Sequence, residues 1–258
     1  MPRTSARRAL VTGAGKRVGR AISLALAESG YAIAVHYRRD PEAADELVRA
    51  IQGRGGVAKA LDADLDSPEA AAGLIARASD LIGPLTLLVN NASRFDQGGF
   101  EDVTETDLLA HFRPNLIAPL LMTQAFAAAA KDLPADADPS VINILDQRVL
   151  RPNPQFFSYT LSKCALHTAT LTLAQALAPA VRVNGLAPGP TLPSTHQAPE
   201  TFAAEIAGVL LQRPAATEDL ASAAVYLAGA RSVTGTVIVV DAGQHLGWRT
   251  PDLAGSGG

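Results

Sequence analysis

Short apolar runs alternate along the chain with longer windows in which apolar residues recur every three or four positions. The runs are Ala9–Val11, Tyr31–His36, Val57–Leu61, Leu85–Val89, Val141–Leu145, Val181–Leu186 and Thr236–Val240. Ala9–Val11 is apolar throughout and most of the others carry a single polar residue; a run that is apolar throughout reads as a strand covered on both faces, as in a parallel sheet flanked by helices. Between the runs, Val18–Ser29 has the spacing of an amphipathic helix. Pro41-Glu42 opens another helix, and Ser67-Pro68-Glu69 reads as an N-cap with proline in the first turn. Strand-then-helix order with right-handed crossovers predicts an α/β, Rossmann-type doubly wound fold of three layers around a seven-stranded parallel sheet. One domain over residues 1–258 is expected, with a surface loop at Leu133–Pro139 and a fraying tail from Pro251 to Gly258.

The first chemistry-bearing segment is Thr12-Gly13-Ala14-Gly15-Lys16-Arg17-Val18-Gly19, between the first strand and the first helix. Glycines there let the backbone turn tightly and approach a pyrophosphate, which a helix N-terminus favours electrostatically. A plain structural turn is the alternative. Gly13, Arg17, Val18 and Gly19 are the expected contacts. The second strand ends in His36-Tyr37-Arg38-Arg39, where an NAD site wants a carboxylate for the ribose. Guanidinium groups at Arg38 and Arg39, with Arg17 from the loop, suit a 2′-phosphate, which points to NADP(H). Asp40 and Glu42 just beyond offer the alternative of a ribose hydroxyl partner. His36 is placed near the adenosine.

Tyr159 and Lys163 are spaced to share a helix face. With four tyrosines among 258 residues and equally few lysines, chance gives only about 0.06 such pairs. An ammonium beside a phenol is expected to lower its pKa and make it a proton donor at neutral pH. A packed tyrosine beside a surface lysine is the bland alternative.

Composition narrows the field. A net charge of −3, from 22 basic and 25 acidic residues, provides no field for a polyanion, so no nucleic acid partner is expected. The single cysteine, Cys164, excludes a disulfide framework and a Cys-based zinc site. His111, His167, His196 and His245 lack ligand spacing, so no metal is expected. No apolar run approaches the ~18 residues of a membrane span. The apolar stretch behind the basic N-terminus breaks at Gly13, too early for a signal peptide. A soluble cytoplasmic protein is the expectation.

These pieces in this order resemble the short-chain dehydrogenase/reductases over about residues 7–247. The matching pieces are the Thr12–Gly19 loop, Asp64 after the third strand, and Asn90-Asn91-Ala92 after the fourth. Asn115, Tyr159-x-x-x-Lys163 and Pro188-Gly189 complete the set. The resemblance implies that Tyr159 donates a proton, that Lys163 holds the nicotinamide ribose and tunes Tyr159, and that Asn115 supports a water relay. It also implies that Asp64 and Leu65 flank the adenine and that Asn91 and Ala92 line the ribose. Pro188, Gly189 and Thr191 then fall beside the cofactor, and Pro190 beside the substrate.

Three departures from the family pattern are informative. Arg17 replaces a glycine, Ser93 follows Asn-Asn-Ala in place of glycine, and Asp146 stands thirteen residues before Tyr159 where serine is usual. A serine hydroxyl donates to a carbonyl oxygen that gains negative charge; an ionised aspartate cannot donate and repels it. An aspartate suits proton relay to nitrogen during C=N reduction. The same departures resemble the pteridine reductase branch of the family, with its Lys16-Arg17 loop, His36-Tyr37-x-Arg39 end, Ser93-x-Phe95 and Asp146–Tyr159–Lys163 set. That resemblance implies a pterin stacked on Phe95, touched by Ser93, Arg17, Asp146, Tyr159 and Pro190, with Tyr37 and Arg39 gripping the 2′-phosphate. Asp40 departs from the serine often found there.

The expected function is NADPH-dependent reduction of a pterin or related C=N heterocycle, a small planar substrate. A short-chain carbonyl reductase and a non-catalytic NADP-binding module are the rivals. Residues 190–212 are expected to cover the substrate as a loop plus a short mobile helix, opposite a wall at Arg151–Gln155. The family resemblance further implies a homotetramer built on helices Thr104–Lys131 and Phe157–Ala178.

Overall fold

The computed structural model describes residues 6–193 and 197–248. The expected features at Thr195, His196 and the 251–258 tail lie outside them. Seven strands form one parallel sheet in the order β3-β2-β1-β4-β5-β6-β7. They are β1 (Arg8–Val11), β2 (Ala32–Tyr37), β3 (Ala58–Asp62), β4 (Leu87–Asn90), β5 (Ser140–Ile144), β6 (Arg182–Pro188) and β7 (Val237–Val240). The helices are α1 (Arg17–Glu28), α2 (Pro41–Gln52), α3 (Pro68–Ile82), α4 (Glu105–Phe112), α5 (Ala118–Ala129), α6 (Phe157–Leu177), α7 (Pro199–Gly208) and α8 (Thr217–Gly229).

Unbroken apolar strands have a direct cause here, because each face of the sheet has its own core. Ala9, Val11, Ile33, Val35, Leu87 and Val89 pack under α1, α2 and α8. Their alternate neighbours Leu10, Ala34 and Leu88 pack under α3 and α5. β3, β4 and β6 run one or two residues past their apolar runs, because the backbone ladder continues through Asp62, Asn90 and Pro188. Asp40 and Ser67 cap α2 and α3 by accepting Ala43 and Ala70 N–H groups at 3.0 and 3.2 Å. Thr104 and Asp107 form a reciprocal capping box for α4. The predicted Thr104–Lys131 helix is interrupted at Arg113–Ile117 by a π-helical segment that contains Asn115.

The order of strands reverses between β1 and β4, so a crevice opens at their C-terminal ends. The Thr12–Gly19 loop and the Asn90–Ala92 exit lie there. At the far edge Arg182 is buried, bonding Asp138 at 3.1 Å and the last-turn carbonyls of α8 at Leu227 and Ala228 (2.9 and 3.0 Å). The loop expected only as surface thereby anchors β6 to α8.

Replacing Arg182 with Met removes the donor to those carbonyls and the nearer cation of Asp138. A loss of about 3–5 kcal/mol is expected for breaking such a pair. Urea denaturation measures it; a change below about 1 kcal/mol refutes the anchoring role.

Candidate active site

The crevice is shaped by close backbone approach. Gly13 adopts φ +60°, and a Cβ at Gly19 would lie 2.4 Å from the Gly13 carbonyl oxygen and 2.6 Å from Asn91 Nδ2. Thr12 Oγ1 accepts the N–H groups of Asn91 and Ala92, both at 2.9 Å. The Asn91 amide donates to the carbonyls of Thr12 (2.8 Å) and Gly13 (3.1 Å). Its amide nitrogen is therefore spent on shaping the loop and is not left for the ribose. On the other side Gly189 lies against the Asp241 backbone, where a Cβ would come within 2.6 Å. Thr191 Oγ1 donates to the Gly189 carbonyl at 3.0 Å and Pro190 accepts from Ala215 N–H at 2.9 Å, which shapes that rim.

His36 corrects the expectation of a cofactor ligand. It is buried at the end of β2, its Nδ1 accepts the Gly13 N–H at 3.0 Å, and Nε2 contacts the Ala63 carbonyl at 3.2 Å. Both ring nitrogens are used inside the protein, and the imidazole must be neutral with its proton on Nε2. Burial brings its pKa down to about 4.

The basic cluster is divided among different tasks. Arg38 bridges Asp64 at 3.0 Å and Asp66 at 2.8 Å, which ties β2 to the exit of β3 and commits Asp64 to an ion pair. Leu65 beside it is buried in the core. Lys16 pairs with Asp40, which is also the α2 cap. Arg17 turns the other way: its guanidinium donates to the carbonyls of Leu192 (2.9 Å) and Pro193 (2.8 Å). It spans the mouth toward the covering segment and does not reach back to the end of β2. Arg39 is exposed, makes no ion pair among the described residues, and stands beside half-buried Tyr37.

The predicted catalytic residues come together where β5 meets α6. Tyr159 OH donates to Asp146 Oδ2 at 2.8 Å, and Lys163 Nζ donates to the Ile144 carbonyl at 2.7 Å. The ammonium lies 5.8 Å from the Tyr159 ring centre. Burial and then the Asp146 carboxylate hold the phenol well above its ordinary pKa, with Arg148 opposing. This runs against the expectation that Lys163 would lower it: burial outweighs the lysine, and the phenol's direct partner is an anion. Burial brings Lys163 itself down to about 8.

The side-chain amide of Asn115 is fully engaged within the protein. Its Nδ2 donates to the Arg94 carbonyl and to Ser162 Oγ, each at 3.0 Å. Its Oδ1 accepts Arg94 N–H at 2.8 Å and Ser93 Oγ–H at 3.2 Å. All hydrogen-bonding positions of the amide are filled, and their effect is to fix the segment leading to Phe95.

Phe95 is half exposed, at 41%, as a binding surface requires. Its ring stacks on Phe156 at 4.3 Å and 12°, and meets Tyr159 edge-on at 4.6 Å and 80°. The wall is therefore two stacked rings, not one. Arg148 lies over both, 5.8 Å from Phe95 and 5.0 Å from Phe156. Opposite, Glu205 of α7 accepts from Gln197 at 3.0 Å and Gln244 at 3.3 Å, and Arg151 donates to the Gln244 carbonyl at 3.1 Å. The two predicted walls thus meet through the segment after β7.

Sequence reasoning missed Phe156 and Arg148. Their signals were an aromatic three residues before Tyr159 and a cation two residues after Asp146. Among the described residues no group of three or more potential ligands could hold a metal, and no helix is long and apolar enough to cross a membrane.

A protein-family model described as enoyl-(acyl carrier protein) reductase matches residues 13–245. A solved structure of the FolM alternative dihydrofolate reductase 1 from Brucella canis, complexed with NADP, is similar at 44% identity and a TM-score of 0.92, covering 98% of this chain and 100% of that one. Pteridine reductase 1 of Leishmania tarentolae is 31% identical over 92% of this chain and 96% of its own. A 3beta-hydroxysteroid dehydrogenase of Eggerthella lenta is 32% identical over 92% and 93%. Identity at this level thus spans two substrate chemistries, and the site must choose between them.

The His36 clamp has a pH signature. A base whose folded pKa is about 4, below its ordinary 6.5, contributes stability above 6.5 that is lost as pH falls toward 4. The loss is up to about 3 kcal/mol. Denaturation midpoints across that window measure it. A His36→Phe variant, although less stable overall, should show a flatter dependence; equal slopes refute the clamp.

Proposed function

The chain belongs to the short-chain dehydrogenase/reductase family, and from that premise we propose that it reduces a dihydropterin or a closely related C=N heterocycle at the expense of NADPH. Three features support the cofactor. They are the glycine cradle at Gly13 and Gly19, the N-terminus of α1 facing it, and the unpaired Arg39 at the end of β2, suited to a 2′-phosphate. Solved structures similar to this chain are complexed with NADP. Reduced nicotinamide, when bound, supplies the hydride.

The observation that carries the substrate class is Asp146 accepting from Tyr159 at 2.8 Å, at the position where the family pattern has a serine donor. A carboxylate there offers nothing to the oxyanion of a ketone and repels it. A ring nitrogen that becomes basic on reduction is a better partner. The Tyr159 O–H bond breaks, a new N–H bond forms, and the phenolate is compensated by the Lys163 ammonium until solvent reprotonates it. Asn115 and Ser93 hold the approach to Phe95, and the Phe95–Phe156 wall offers a face to a planar ring. The covering segment at Leu192–Pro193, tied to Arg17, closes the mouth.

Purified protein with NADPH should turn over 7,8-dihydrobiopterin with a kcat/KM at least about tenfold above that for simple ketones. A clear preference for ketones overturns the reading. Asp146→Ser should lower the pterin kcat/KM by roughly 10–100-fold while leaving or raising ketone turnover. Tyr159→Phe, which keeps the fold and removes the proton, should abolish turnover and retain NADPH binding.

Arg39→Ala separates the cofactors. It should raise KM for NADPH about tenfold or more and leave KM for NADH nearly unchanged, since only the former carries the phosphate. Equal effects on both would place the phosphate elsewhere.

A further inference from the structure

Arg148 is a cation in the reaction site to which neither the family pattern nor the reading above gives a task. Its Nη1 lies 3.6 Å from Asp146 Oδ1, and its backbone N–H donates to the same oxygen at 2.8 Å. Among the described residues it is the one cation within ion-pair distance of that carboxylate. Lys163 is turned to the Ile144 carbonyl. Arg148 is only 15% exposed, and its Nε is buried with no hydrogen-bond partner. Arg182, by contrast, is fixed by Asp138 and three backbone carbonyls. The guanidinium of Arg148 is thus held by one carboxylate and two aromatic faces, a placement that serves electrostatics more than architecture.

The other ionisable groups near Asp146 all come from α6: Tyr159 by direct hydrogen bond, then Lys163 and Cys164. His245, from the segment after β7, is turned to Asp241 at 2.7 Å. Tyr159 OH donates to the Asp146 carboxylate at 2.8 Å, in a site lined by aromatic rings. A carboxylate withdrawn from water stays charged beside a compensating cation, and an arginine does not lose its charge in a protein.

We propose that Arg148 is a positioning residue for the proton donor: it fixes Asp146 as the charged acceptor, so that Tyr159 carries the proton presented to the substrate. This rests on Asp146 and Tyr159 being the proton-delivering pair and not on which heterocycle is reduced. Without Arg148 the carboxylate loses its counter-charge and takes up a proton from solvent while Tyr159 keeps its own, and the hydroxyl loses the acceptor that orients it.

Infrared difference spectroscopy of the whole protein without substrate tests this directly. Arg148→Met should show a protonated-carboxyl stretch near neutral pH that vanishes in the Arg148→Met/Asp146→Asn double variant. Wild type and Arg148→Lys should lack it. Arg148→Gln provides the same comparison if the Met variant does not fold. In turnover, Arg148→Met should lose roughly 10–100-fold in kcat with KM within about threefold, and Arg148→Lys should recover most of it. A purely structural role would not move the carboxyl band. Absence of the band in both neutral variants overturns the proposal, even if dihydrobiopterin is a good substrate. Appearance of the band with no pterin turnover leaves Arg148 in this role and removes the substrate reading instead.

Discussion

The close approach of two backbones at the ends of β1 and β4 is the constraint on which the site depends. Gly19 has no room for a Cβ between the Gly13 carbonyl and Asn91. Thr12, Asn91 and His36 fill the polar valences that so tight a turn exposes. Because those groups are buried, each missing partner costs roughly 1–3 kcal/mol, so the loop behaves as a unit. The same crowding aims the first turn of α1 at the crevice and sends the chain after Ala92 toward Phe95. Asn115 then fixes that exit from the widened π-helical turn, and through Ser162, whose hydroxyl donates to the Tyr159 carbonyl, it reaches Tyr159.

Much of this was legible in the sequence, and the reason is physical. Strands buried on both faces are predominantly apolar, so Leu85–Val89 and Val141–Leu145, with one polar residue each, could be seen without tertiary knowledge. Tyr159 and Lys163 could be paired because a helix face is local geometry, whereas Asp146 joined them only through the resemblance to the family pattern. The partners of Arg17, Arg38, His36 and Asn115 could not be placed. Each is decided by a contact across 21 to 176 positions of chain, where a charge or amide takes whichever acceptor the fold brings within reach. Three arginines that look like one phosphate clamp therefore serve three tasks: Arg17 the mouth, Arg38 two aspartates, and Arg39 the open end of β2.

The electrostatics of the site follow from the same distinction. A lysine one helical turn from a tyrosine suggests an acidified phenol, yet burial weakens the ammonium and the phenol bonds an anion. The balance of the pair is set by what lies between β5 and α6, in the short 3-10 turn at Gln147–Val149. That turn places a carboxylate at its cap and a guanidinium two residues later, so one local element supplies both signs of charge to the reacting centre.

A carboxylate in place of a hydroxyl donor changes what the site can stabilise. Negative charge growing on a substrate oxygen would meet Asp146 at close range, in surroundings where aromatic rings keep the effective dielectric low. A nitrogen that gains a proton develops no such charge, and its positive character is welcomed by the same group. The aromatic wall of Phe95 and Phe156 adds the complementary shape, since stacked rings favour a planar partner over a puckered sugar or a flexible acyl chain. The proposed substrate class thus draws on charge and on shape through different residues, Asp146 on β5's exit and Phe95 on β4's, which gives the proposal two separate supports.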